Sequence, residues 1–137
     1  MLGIVIVTHG NLGEALLQTA EYITADRLGG IVTVSIGPKD DSDNIRRQIL
    51  SGIKKVEQGS GVLILTDMFG GTPSNLSYSF LKEGHVEVLS GVNLPMIIKA
   101  FGIRKETNLS QAAVAIETHG KKSISLASGL LKAKPKG

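Results

Sequence analysis

Short apolar runs rich in β-branched residues alternate with stretches whose apolar residues recur every three or four positions, and no other feature restricts the possible folds of this chain so strongly. Residues 2–8 (LGIVIVT) read as a buried strand, followed by the turn residues His9, Gly10 and Asn11 and by helical spacing over 12–23. Residues 31–36 repeat the strand pattern. Residues 37–42 turn, and a helix follows over about 43–57 with Ile45, Ile49, Ile53 and Val56 on one stripe. A third strand over 61–66 leads through a loop at 67–71 into a helix opened by Thr72 and Pro73 and running to about Lys82. A fourth strand over 86–89 leads through a loop at 91–93 into a helix from Pro95 to Phe101. Residues 110–119 are predicted helical with Gly120 as the cap. Periodicity does not decide between strand and helix for 122–131.

Parallel strands need crossover connections, which helices supply. The expected fold is therefore α/β: a single doubly wound domain of three layers, with a mainly parallel sheet and helices on both faces. The domain is expected over 1–131, with the lysine-rich 132–137 as a frayed tail. A chain of 137 residues has room for one core of this kind, and 42% hydrophobic with 20% charged residues is ordinary for a globular domain.

Composition removes several classes of function. Residues 2–7 form too short an apolar run to span a bilayer, and the N-terminus lacks the pattern of a secretory signal, so the expected location is the cytoplasm. Without cysteine or paired histidines, a structural metal site is not expected, and no cofactor is implied. The net charge of +3 is concentrated in Lys121, Lys122, Lys132, Lys134 and Lys136, and aromatic residues total 4%. Nucleic acid is therefore not an expected partner.

In open α/β sheets, ligands bind at the carboxyl ends of the strands. Three loops fall there: Thr8-His9-Gly10, Asp67-Met68-Phe69-Gly70-Gly71-Thr72 and Ser90-Gly91-Val92-Asn93. If strands one and three are neighbours, His9 meets Asp67. An imidazole accepts a phosphoryl group when one nitrogen is unprotonated and faces outward, and a carboxylate bonded to the other N–H secures this. Gly70 and Gly71 would allow close backbone approach, Thr72 and Ser74 would add hydroxyl donors, and a helix start at Thr72 would favour an anion. Phe69, Leu94 and Met96 are candidates for an apolar partner surface on the same rim. His85, in a turn before a strand, and His119, at a helix end, read as structural.

Other readings share parts of this pattern. A hydrolase of the phosphoglycerate-mutase type also places His-Gly after its first strand, but wants arginine where Thr8 stands. A receiver domain with Asp67 as acceptor wants acidic residues after strand one to hold magnesium. A non-covalent anion-binding module would use only the segment 70–74.

Three stretches, GIVIVTHG at 3–10, VLILTDMFGGTPSN at 62–75 and VLSGVNLPM at 88–96, closely resemble enzyme IIA of the mannose family of the bacterial sugar phosphotransferase system. The likeness runs in order, at matching spacings, up to the lysine-rich tail. It implies that His9 is transiently phosphorylated, charged by the phosphocarrier protein HPr and discharged to a histidine of an enzyme IIB. Asp67 would orient His9, and Gly71 and Thr72 would lie beside the phosphoryl group. The resemblance further implies a homodimer whose C-terminal antiparallel strand, here 122–131, is exchanged between subunits, with membrane permease components contacted only indirectly. Transporter members often carry tryptophan where Phe69 stands. Others continue into a fused IIB domain, so this chain is expected to meet IIB as a separate protein. A regulatory relay, or the phosphotransfer subunit serving dihydroxyacetone kinase, is the alternative client.

Overall fold

A computed structural model describes residues 1–25 and 29–132. Four strands, β1 (Gly3–His9), β2 (Ile31–Ile36), β3 (Val62–Thr66) and β4 (Val86–Ser90), form one sheet in the order β2-β1-β3-β4, parallel throughout. The connections are α1 (Leu12–Thr24), α2 (Ser42–Val56) and α3 (Thr72–Ser77), the last continued by a 3₁₀ turn, Tyr78–Phe80. Helices α4 (Leu94–Ile103), α5 (Leu109–Lys122) and α6 (Ala127–Lys132) follow β4.

The alternation of side chains along β1 and β3 builds two cores. Ile4 and Ile6 lie level with Leu63 and Leu65 and pack beneath α1, α4 and α5, with Ala20, Ile97, Ala100, Ala112 and Ile116. Val5 and Val7 point to the other face and pack with Ile64, Ile45 and Ile49 of α2 and Leu76 of α3. Both faces of the two central strands are therefore dry, which explains why their sequences are continuously apolar rather than alternating. Asp41 and Asn108 start α2 and α5 by accepting the N–H groups of Asn44 and Gln111, and Asn93 does the same for α4 through Met96.

Three sequence expectations change. The helix expected from 72 to about 82 stops at Ser77 and tightens into the 3₁₀ turn, which leaves a single short α-turn after the loop at 67–71. Gly120 is not a cap: α5 runs on to Lys122 with Gly120 inside it, and a Cβ there would stand 2.6 Å from Met96 Cγ. That glycine serves close helix packing. Residues 127–132 form α6 rather than a strand, and the described residues contain no strand after β4. Beyond Lys132, the tail expected to fray lies outside the described residues.

Candidate active site

Because β1 and β3 are hydrogen-bonded neighbours with Val7 level with Thr66, His9 and Asp67 leave the sheet side by side at its carboxyl edge. One carboxylate oxygen of Asp67, Oδ2, accepts both the backbone N–H of His9 at 2.9 Å and a hydrogen bond from its ring Nδ1 at 2.7 Å. Oδ1 accepts the backbone N–H of Met68 at 2.9 Å. A carboxylate can only accept, so the neutral imidazole carries its proton on Nδ1 and keeps a lone pair on Nε2. Among the described residues Nε2 has no hydrogen-bond partner. The His9 side chain is 52% exposed and that of Asp67 only 10%, so the orienting group is sheltered and the oriented one is accessible.

Burial pushes the Asp67 carboxyl upward, but the hydrogen bonds from the His9 backbone and ring, the His9 charge and the Met68 N–H outweigh it and hold the carboxyl below its ordinary value of 3.8. A depressed carboxyl stabilises the fold above its unfolded value and loses that contribution as pH falls through the folded one. The stability gap between the wild type and Asp67→Asn should therefore narrow as pH drops below 3.8, measured by chemical denaturation. A gap independent of pH across that range would mean that these bonds do not favour the ionised carboxyl.

The loop beneath the ring is shaped by two glycines. Gly70 has φ of +85°, a left-handed conformation that side chains resist. Gly71 faces the imidazole so closely that a Cβ would stand 3.0 Å from Cε1. Thr72, exposed, begins α3. Thr8 is fully buried and its hydroxyl accepts the Gly13 N–H at 2.8 Å, tying the end of β1 to the first turn of α1. Gly10 crosses the same turn, and its N–H bonds to Ile36 O at 2.8 Å.

Two expected site residues lie elsewhere. Ser74 is fully buried under the loop, where its hydroxyl bonds to Met68 O, Thr66 and Ser90, so it offers nothing to an anion above the ring. Met96 is 3% exposed and packs in the core, because α4 turns that face onto α5; Leu94 is half-buried against the same core. Of the expected apolar surface, Phe69 stands out at 78% exposure. Met68 and Leu12 are exposed apolar side chains as well, and were not singled out from sequence. A usable signal existed for Leu12: it is an apolar first residue of a helix directly after His9-Gly10-Asn11. His85 lies in the turn before β4, its Nδ1 3.0 Å from Glu83 O, and His119 lies in the last turn of α5. Neither is hydrogen-bonded to His9 or Asp67.

An accessible imidazole bonded at Nδ1 to a sheltered carboxylate thus stands at the strand ends of a parallel sheet. Residues 3–117 match the family model EIIA-man, described as PTS system fructose IIA component. The chain belongs to this EIIA family. Across 98% of its length it is 31% identical to the mannose-specific EIIAB component of the phosphotransferase system (PTS) from Escherichia coli K12, and it spans 41% of that relative. It is 24% identical to the fructose-specific EIIA component of Bacillus subtilis, over 93% of this chain and 88% of that one. Its fold superposes with a TM-score of 0.84 on the crystal structure of the EIIA phosphotransferase component of Streptococcus agalactiae, at 26% identity, covering 94% of this chain and 99% of that one. The α/β fold with its parallel sheet is thus the EIIA fold, as the sequence led us to expect. No helix among the described residues is long and apolar enough to cross a membrane.

Proposed function

We propose that this EIIA chain is a phosphocarrier: Nε2 of His9 accepts a phosphoryl group from phospho-HPr and passes it to a histidine of an enzyme IIB. The observation that carries the reading is the 2.7 Å bond between Nδ1 and Asp67, which leaves Nε2 as the free, outward nucleophile. In the forward step the Nε2 lone pair attacks phosphorus, and the P–N bond of the donor breaks with its electron pair returning to the donor imidazole. The His9 ring becomes cationic while keeping its Nδ1 proton, and the ionised Asp67 offsets that charge. Onward transfer is the same step in reverse, with the acceptor imidazole as nucleophile.

The phosphoryl oxygens are held by backbone N–H groups at Gly70 and Gly71 and by the N–H and hydroxyl of Thr72. Because α3 has six residues, individual N–H donors rather than a long helix dipole supply this cradle. A modest cradle suits a carrier, since tight binding of the charged form would slow its discharge. Phe69, Met68 and Leu12 form the apolar rim on which donor and acceptor dock in turn, with Leu94 behind it. The exposed His9 fits a site that two proteins must reach.

The test is incubation with phosphoenolpyruvate, enzyme I and HPr, followed by mass spectrometry of the intact chain, which should gain one acid-labile phosphoryl group. A chain that stays unmodified while HPr is charged would sink the reading. The same reading includes a homodimer. Strand β4 is a sheet edge, and Ile124, Leu126, Leu130 and Leu131 are all exposed, apolar surface that a second copy would cover. Sedimentation of the purified chain should give the dimer mass; a monomer at all concentrations would exclude it.

A further inference from the structure

Beneath the loop that carries Asp67 lies a closed cluster of hydroxyl groups which the phosphocarrier reading does not use. Thr66 and Ser74 are fully buried, and Ser90 and Tyr78 half-buried. Ser74 Oγ is bonded to Met68 O and lies 2.9 Å from Ser90 Oγ. Thr66 donates to Ser90 at 2.9 Å and also contacts Ser74, and the Tyr78 hydroxyl is 3.1 Å from Ser90. Each hydroxyl has one proton to give. A carbonyl cannot donate, so the Ser74 proton goes to Met68 O, and Ser74 must accept from a neighbour. Four hydroxyl protons serve five contacts; with Thr66 donating to Ser90, a chain from Tyr78 through Ser90 to Ser74 ends on the peptide of Met68 and leaves the Thr66–Ser74 contact without a proton.

Met68 is also the residue whose N–H holds Asp67 Oδ1, while Oδ2 holds His9. Ser74 therefore grips by its carbonyl the same residue that grips the orienting carboxylate by its amide. We propose that Ser74 is a positioning residue, fed by Ser90 and Tyr78, which pins Met68 and so aims Asp67 at His9 Nδ1. Its consequence for transfer rests on the phosphocarrier reading; its effect on the imidazole does not. Tyr78 also meets the exposed Phe69 ring, with centroids 6.2 Å apart and planes tilted by 46°, so the far end of the chain touches the docking rim.

Two variants test the proposal. Ser74→Ala removes the hydroxyl under Met68, and Tyr78→Phe removes only the far donor while keeping the ring. Nitrogen-15 NMR of the His9 ring, at a pH where it is neutral, should show mainly the Nδ1–H form in the wild type, a mixture of both forms in Ser74→Ala and a smaller change of the same direction in Tyr78→Phe. Phosphorylation of Ser74→Ala should slow by about 10-fold, the order expected for a slight misplacement of a reacting group. In an Asp67→Ala background the same serine substitution should add no further slowing. Unchanged ring tautomers in both folded variants would overturn the proposal, as would a full additional slowing in the double variant, which would indicate a general packing role. If Ser74→Ala fails to fold, Tyr78→Phe decides by the same measurement. A wild type that takes no phosphoryl group would end the phosphocarrier reading, while the tautomer ratio still decides the role of Ser74.

Discussion

Replacing His9 by alanine is expected to abolish phosphoryl transfer altogether. The prediction is strong because the site has one nucleophile. The other two histidines are not bonded to Asp67: His85 lies in the turn before β4 and His119 in the last turn of α5. In the variant the Asp67 carboxylate still accepts the backbone N–H groups of residue 9 and Met68, and a carboxylate so held is poorly placed to attack. The substitution should leave the fold intact, since the His9 side chain is half exposed and both cores lie below it. Mass spectrometry of His9→Ala after incubation with the charged donor should show no added phosphoryl group, with thermal unfolding near that of the wild type. Full labelling of the variant would remove His9 from the mechanism.

Asp67→Ala is expected to slow transfer without abolishing it, by about 10-fold to 10,000-fold, the range seen when a carboxylate that orients a histidine is removed. Three losses combine. The imidazole is free to carry its proton on Nε2, where it blocks attack; the ring loses its fixed direction; and the cation formed on phosphorylation loses its countercharge. Each factor of ten corresponds to about 1.4 kcal/mol of barrier. Asp67→Asn should also slow transfer, because the neutral amide removes the countercharge and offers one accepting atom where the carboxylate offers two. Rapid-quench phosphorylation with limiting enzyme measures the effect. A rate within twofold of the wild type would show that Asp67 does not orient the nucleophile.

Much of this site was legible as residue types at strand ends. His9 follows a β-branched run, and Asp67 with its glycine pair follows another, so each could be placed on the carboxyl edge of a parallel sheet from sequence alone. The residues misassigned share a cause. Ser74 and Met96 both lie in the first turn of a helix, where neighbouring positions differ by about 100° in direction. Thr72 and Leu94 keep some exposure, whereas two residues further along the helix has turned its side chain into the protein. Sequence spacing gives that rotation only relative to the helix, and the angle at which the helix meets the sheet is a tertiary property. Gly120 failed in the same way: a glycine near a helix end resembles a cap, and only the packing of α5 on Met96 reveals that its missing Cβ is what matters.

The sequence by itself determined the layered architecture, the strands to within one residue and the chemical inventory of the rim, because hydrophobic period and turn chemistry are local. Only the tertiary structure decided that β1 lies beside β3, which brings together two side chains 58 residues apart and sets Nδ1 at 2.7 Å from a carboxylate oxygen. It also decided that the hydroxyls of Thr66, Ser74, Ser90 and Tyr78 meet under the loop rather than above it. Strand order and helix orientation follow from how all the apolar faces are buried at once, and no local stretch of chain contains that information.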